Sequence, residues 1–328
     1  AHCFKACDAS GNILYDDTKG IKKYSIENQP FYQQLPVGIM TSSKVEELEF
    51  TSSELETNSE LPIYTASGTS NTQRDALSSD RAITLRSTEI TKFVSTNNRT
   101  GRGSHNIINM SGKTKLHTYD NNRNYMRSGI RKAERTVNAK FDNCPALVKF
   151  DMLASNCLGN WQQNSMFNDK PELSTIDVRY THMDARLSDS VFGPNTTKIR
   201  RLYIAGATYG MSSNDFLGIN GDNGFTGKSL KSLVDLERLY IYNMDRACIR
   251  FVDSVDDTKF LDLSSNLNLS VLYGASGGVT GKLPDITNNT KLYYMNFKNN
   301  RSNLHVRWAQ PGVKHTIVSF YNQANLNH

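Results

Sequence analysis

Residues 283–300 read LPDITNNTKLYYMNFKNN, and within them Leu292, Met295 and Phe297 stand at the spacing apolar-x-x-apolar-x-apolar. The last three positions of that run alternate, which is the mark of a short strand with one face turned inward. Ahead of it, Pro284 suits an irregular return segment, where a missing backbone N–H breaks no ladder. Asn300 follows the last apolar position and is placed to bond the backbone where the chain turns inward. One such unit cannot bury its own apolar edge, so the reading requires copies stacked beside it.

The copies are present. Leu147, Phe150 and Met152 repeat the ladder, as do Leu173, Ile176 and Val178; Ile199, Leu202 and Ile204; and Leu236, Leu239 and Ile241. Leu269 and Leu272 follow, with Gly274 in the last slot; Leu116 with Tyr119 is a weaker first copy and Ile317 with Phe320 a last one. Several copies share a short lead-in: TKL, PAL, PEL, TKI and TKL again. Their starts lie roughly 23 to 37 residues apart, against about 20–29 in regular leucine-rich repeats, so the long units carry insertions. The expected fold is mainly β with short irregular or helical connections: a leucine-rich-repeat-like solenoid over residues 111–328, behind a small β-rich N-terminal region. A parallel β-helix is the competing architecture.

With 38% apolar and 21% charged residues the chain has a globular composition, and its many Asn, Ser and Thr favour short turns over long helices. No apolar run approaches the length of a membrane span, and no start resembles a secretory signal, so membrane insertion is not expected. The net charge of +6 is concentrated around residues 99–140, where Arg123, Arg127, Arg131, Lys132 and Arg135 face only Asp120 and Glu134. No aromatic interleaving, zinc module or helix-turn-helix pattern accompanies that charge, so a solvated face or a contact to the acidic residues between Glu46 and Glu60 is preferred over nucleic acid. Five scattered cysteines give no disulfide framework, and free thiols are expected.

Residues 1–110 are read as a docking region, β-rich and partly extended. Its aromatic residues Phe4, Tyr15, Tyr24, Phe31 and Tyr32 suit a small core. The Ser-, Thr- and Glu-rich part after residue 41 suits strands laid on a partner. Further on, residues 206–227 (GATYGMSSNDFLGINGDNGFTG) leave the repeat outline, and Asn220, Asp222 and Phe225 make this loop a candidate contact region. It is no calcium loop, because Lys231 stands where an EF-hand needs its bidentate Glu. Residues beyond Trp308 are expected to cap the open apolar end.

No catalytic, metal-binding or cofactor-binding motif is found: H-E-x-x-H, G-x-S-x-G and the phosphate loop G-x-x-x-x-G-K-[ST] are all missing, and the seven histidines do not cluster. Asp151 and Asp177 hold equivalent positions in adjacent ladders, with Arg179, Asn243 and Lys298 at neighbouring outward positions. A glycan hydrolase would need two carboxylates flanking a bond. A mixed polar row suits binding equally, and a non-enzyme is expected.

The stretch ASGGVTGKLPDITNNTKLYYMNFKNN, residues 275–300, resembles the irregular, Asn-rich leucine-rich-repeat arrays of virion proteins in contractile-tailed bacteriophages, those of cyanobacteria in particular. A similar G-x-[IL]-P phrase occurs in leucine-rich repeats of plant and bacterial surface proteins. The resemblance implies a structural component of the virion tail or baseplate, assembled in the host cytoplasm and docked in multiple copies on other virion proteins. The alternative is an adhesin on a cell surface or tail fibre, reading host glycan or protein; a glycan depolymerase stands third.

Overall fold

The computed structural model describes residues 21–28, 32–33, 42–51, 54–55, 83–96, 99–100, 108–123, 125–126, 141–153, 158–160, 167–179, 182–184, 192–204, 230–241, 263–274, 286, 288–296 and 317–319. In chain order the strands are β1 (Lys23–Glu27), β2 (Tyr32–Gln33), β3 (Glu47–Thr51), β4 (Glu54–Leu55), β5 (Ile83–Thr84), β6 (Lys92–Thr96), β7 (Arg99–Thr100), β8 (Ile108–Asn109), β9 (Thr118–Asp120) and β10 (Tyr125–Met126). They continue as β11 (Lys149–Asp151), β12 (Leu158–Asn160), β13 (Thr175–Asp177), β14 (His182–Asp184), β15 (Arg201–Ile204), β16 (Arg238–Ile241), β17 (Val271–Tyr273), β18 (Tyr294–Asn296) and β19 (Ile317–Ser319). No helix occurs among the described residues. The fold is a strand-rich solenoid of the leucine-rich-repeat type, and the chain divides into two units: Ala1–Leu147 with Ala154–Gly159, and Val148–Leu153 with Asn160–His328.

In the first unit β1, β3, β6 and β9 pair in parallel, which places Tyr24, Leu48, Phe93 and Tyr119 in one row. A second parallel row runs β2, β4, β7 and β10, and β5 pairs β8. Alternation decides which residues face the core: in both β3 and β6 every second side chain is buried. The core is aromatic, running from Tyr24 through Phe50 and Phe93 to Tyr119 and Phe141, with Phe93 and Tyr119 stacked at 5.3 Å and Tyr119 edge-on to Phe141 at 4.8 Å. Outside, Glu49 takes Lys23 at 2.7 Å and Lys92 at 2.5 Å, and Lys22 meets Glu46 at 2.6 Å. The bonds from Lys23 and Lys92 hold the Glu49 carboxyl below its usual range. The acids at 46, 47 and 49 are thus matched by lysines of this same unit.

These strands alter the expected domain boundary. The sequence places it near residue 110, but β3 and β6 are rungs of the same parallel stack as β9, and the compact units divide at Leu147 and Val148. A cut at 110 removes the strand that β9 pairs with and the ring that Tyr119 stacks on. The earliest rungs escape the pattern because 45 residues separate Leu48 from Phe93, and because β3 reads as an acidic run.

In the second unit β11, β13, β15, β16, β17, β18 and β19 pair in parallel and in register. Phe150, Ile176, Leu202, Leu239, Leu272 and Met295 form the inward row, flanked by Leu173, Ile199, Leu236, Leu269 and Leu292, all buried. Met152 and Val178 are buried in the next slot. By register Val318 pairs Met295, and Phe320 lies outside the described residues. The side chains of Ile204 and Ile241, and residues Phe297, Asn243, Lys298, Asn220, Asp222 and Phe225, lie outside the described part, as do most of the basic segment and the C-terminal cap.

The turns ahead of β11, β13, β16, β17 and β18 add two buried positions, six and three residues before the first ladder apolar: Phe141 and Cys144, Phe167 and Lys170, Leu230 and Leu233, Leu263 and Asn266, Ile286 and Asn289; ahead of β15 the pair is Phe192 and Thr196. Leu233 aside, the nearer slot is a donor; Lys170 Nζ bonds Asn168 O of its own turn at 2.8 Å, and at five other positions the donor reaches back to a carbonyl of the preceding rung. Lys113 Nζ bonds Leu85 O at 2.5 Å, Cys144 Sγ bonds Met110 O at 3.0 Å, and Thr196 Oγ1 bonds Phe167 O at 2.7 Å. Asn266 Nδ2 bonds Leu230 O and Leu233 O at 3.0 and 2.8 Å, and Asn289 Nδ2 bonds Leu263 O and Asn266 O at 3.1 and 2.9 Å. Just ahead of this slot, Gly112, Asn143 and Asp169 adopt positive φ of 77°, 54° and 51°, a conformation that Gly, Asn and Asp tolerate best.

Asn289→Ala removes two such bonds, each worth about 1 kcal/mol, and is expected to destabilise the second unit by about 2 kcal/mol, read as a lower urea midpoint. Asn289→Asp should cost more, because a carboxylate sets an acceptor against two carbonyls; an unchanged midpoint in both variants would remove the slot from the account of stability.

The outward strand face of the second unit as a candidate binding surface

Two rows of side chains point away from the core on this sheet, one on each side of the inward row. Before it stand Lys149, Thr175, Arg201, Arg238, Val271 and Tyr294. After it stand Asp151, Asp177, Tyr203, Tyr240, Tyr273 and Asn296. The register therefore places Asp151 and Asp177 side by side on one sheet face.

Both carboxylates are held by their own strands. Asp151 Oδ1 accepts the Leu153 N–H at 3.0 Å, and Lys149 Nζ lies 3.2 Å from its other oxygen. Asp177 receives Arg179 Nε at 2.9 Å and Nη2 at 2.5 Å, and the Arg179 N–H at 3.1 Å. Only 7% of the Asp177 side chain is exposed, so it is covered, unlike an open interaction residue. Burial raises its carboxyl above the ordinary value, and the bonds from Arg179 offset this only in part. Arg179 also lies with its guanidinium 4.7 Å from the centre of the Tyr203 ring.

From Tyr203 onward the face is aromatic. Tyr203 meets Tyr240 edge-on at 4.8 Å, Tyr240 stacks on Tyr273 at 5.4 Å, and Tyr273 stacks on Tyr294 at 6.2 Å across the rungs. Asn296 Nδ2 donates to Tyr294 Oη at 3.1 Å and fixes the end of the row. Partial burial raises the Tyr240 phenol, which stays a neutral donor at physiological pH. Because neighbours occupy the ring faces, the row offers edges and hydroxyls to a partner.

The site residues named from the sequence for this face are charged or amide side chains and include no tyrosine, although the adhesin alternative assigns tyrosine side chains a part there. The signal was available: β15 and β16 carry the same four residues, Arg-Leu-Tyr-Ile, on neighbouring rungs. Of the predicted contact residues, the structure brings Asp151, Asp177 and Arg179 together at the start of this row.

No protein-family model and no curated protein matches the chain. Among solved structures it is similar to the plant peptide hormone receptor RGFR1 in complex with RGF2, at 14% identity over 86% of this chain and 44% of that one, TM-score 0.41. An LRR protein of Leptospira interrogans is 13% identical over 88% of this chain and 69% of its own, TM-score 0.40. An internalin, InlF, of Listeria monocytogenes is 12% identical over 93% and 88%, TM-score 0.36. The chain spans less than half the length of the plant receptor.

The raised Asp177 carboxyl gives a signed prediction. Below its ordinary value of 3.8 the group is protonated folded or unfolded and costs nothing. As pH rises through the folded value, the unfolded state has already released its proton and stability falls. Asp177→Asn should therefore gain stability relative to the parent as pH rises from 3.8 towards neutral. Urea midpoints across that range check it, and parallel pH profiles for parent and variant would refute it.

Proposed function

We propose that this chain is a non-enzymatic docking protein whose second unit holds a partner against the outward strand face. The observation that carries this reading is the run of ring contacts from Tyr203 through Tyr240 to Tyr273 in one outward row and on to Tyr294 in the other. A half-buried phenol row on a rigid sheet loses little conformational entropy on binding, and tyrosine supplies contact area and a hydrogen bond from one residue. The buried and paired state of Asp151 and Asp177 gives no support to the depolymerase alternative. The setting implied by the resemblance, a phage tail or baseplate assembled from many copies, completes the proposal. The adhesin reading shares the same face and differs in where the chain is found.

Mass spectrometry of purified phage particles and host-envelope fractions tests the setting: peptides at a fixed ratio to a tail protein support it, and peptides confined to the envelope overturn it in favour of the adhesin. The face is tested by Tyr240→Phe with Tyr273→Phe, which keeps the ring stack and removes two hydroxyls. Affinity for the partner crosslinked to the wild-type chain is expected to fall about tenfold or more, with the urea midpoint nearly unchanged. Undiminished binding would exclude this row as the docking surface.

A further inference from the structure

Resting on the docking reading, we propose that Arg201 and Arg238 form an anion-recognition point within the tyrosine face, and that the partner presents an extended acidic polypeptide segment there. The two arginines are direct cross-strand partners on adjacent parallel rungs. Like charges placed opposite one another in a sheet are destabilising. Elsewhere on this face each acid has a cation, Lys149 with Asp151 and Arg179 with Asp177, and just ahead of the strands Glu237 is matched by Arg200 at 3.4 Å. Among the described residues Arg201 and Arg238 have no acidic partner, and Thr175 shows that the same row position accepts a neutral residue. A carboxylate held between the two guanidinium forks would relieve the repulsion and receive charge-assisted bonds from both.

The choice of a polypeptide over an acidic glycan follows from the rings. Sugars stack on exposed aromatic faces, whereas Tyr240 has Tyr203 against it on one side and Tyr273 stacked on the other. Beside these packed rings stand the two guanidinium groups of Arg201 and Arg238. That arrangement suits the carbonyls and carboxylates of an extended chain crossing the rungs.

The test uses the full chain and a fluorescein-labelled oligoglutamate peptide followed by anisotropy, with an oligoserine peptide and oligogalacturonate as competitors. Oligoglutamate should bind with salt-sensitive affinity. Arg201→Thr and Arg238→Thr should each weaken it about tenfold, and Arg238→Thr should also raise the urea midpoint by removing the like-charge contact. Lys291→Thr removes one charge at the turn, where Lys291 bonds Asn268 Oδ1, and should bind as the parent does. No oligoglutamate binding, equal loss in Lys291→Thr, a lowered midpoint in Arg238→Thr, or stronger competition by oligogalacturonate would each overturn the proposal. If the crosslinked partner still binds the arginine variants but not the Tyr240→Phe, Tyr273→Phe chain, the anion point fails while the docking face stands. Loss of neither interaction would remove both.

Discussion

The interaction on which the stack depends is the bond from each turn to a carbonyl of the rung before it. Strands of a parallel sheet satisfy one another, but turns leave carbonyls in the interior with fewer partners, and buried backbone groups must be paired. Lys113, Cys144, Thr196, Asn266 and Asn289 solve this in the same way with different chemistry, each donating to a backbone oxygen of the preceding rung. At Leu233 the slot is apolar and supplies no such donor, while the following Asn266 bonds two carbonyls of the Leu233 turn. These bonds also oppose register slippage. A slip of one residue in a strand turns every inward side chain outward, and a turn anchored to its predecessor gives the strand that follows little freedom to slip.

The strand part of each repeat was legible because its physics is local. Leu292, Met295 and Phe297 announce a one-faced strand, and the same spacing at Leu173, Ile176 and Val178 lies in an equivalent rung. The turn part was not legible, because its buried slot holds Lys, Cys, Thr, Leu or Asn and so breaks any apolar pattern. Burial of Lys113 is met by the Leu85 carbonyl, 28 residues away in sequence and a fact of three-dimensional neighbourhood, whereas the ammonium of Lys170 is met by the Asn168 carbonyl of its own turn. Desolvation lowers the Lys113 pKa, which shows how much that position asks of the group it buries. The first rungs were hidden for other reasons: 45 residues separate Leu48 from Phe93, and outward acids dominate the reading of β3.

The candidate surface was half legible. Sequence spacing placed Asp151 and Asp177 on one face, and the register agrees that they are neighbours. What spacing alone could not supply is depth. A short aspartate is covered and bonded by Arg179, whereas tyrosine at the same position in the next rung is only half-buried. Side-chain length, acting on an identical backbone position, converts a structural residue into one that a partner can reach.

The unequal repeat lengths then become intelligible. From Leu202 to Leu239 the chain travels 37 residues, and from Leu272 to Met295 only 23, yet both pairs stand in register. The excess is accommodated between the strands, while the paired backbone of β15 and β16 keeps Arg201 opposite Arg238 and Tyr203 opposite Tyr240. Ladder hydrogen bonds and the inward leucines fix these outward neighbours, and neither depends on the length of the intervening loop. A face built this way can retain a recognition point through changes in the connecting segments, because its geometry is set by the sheet spacing.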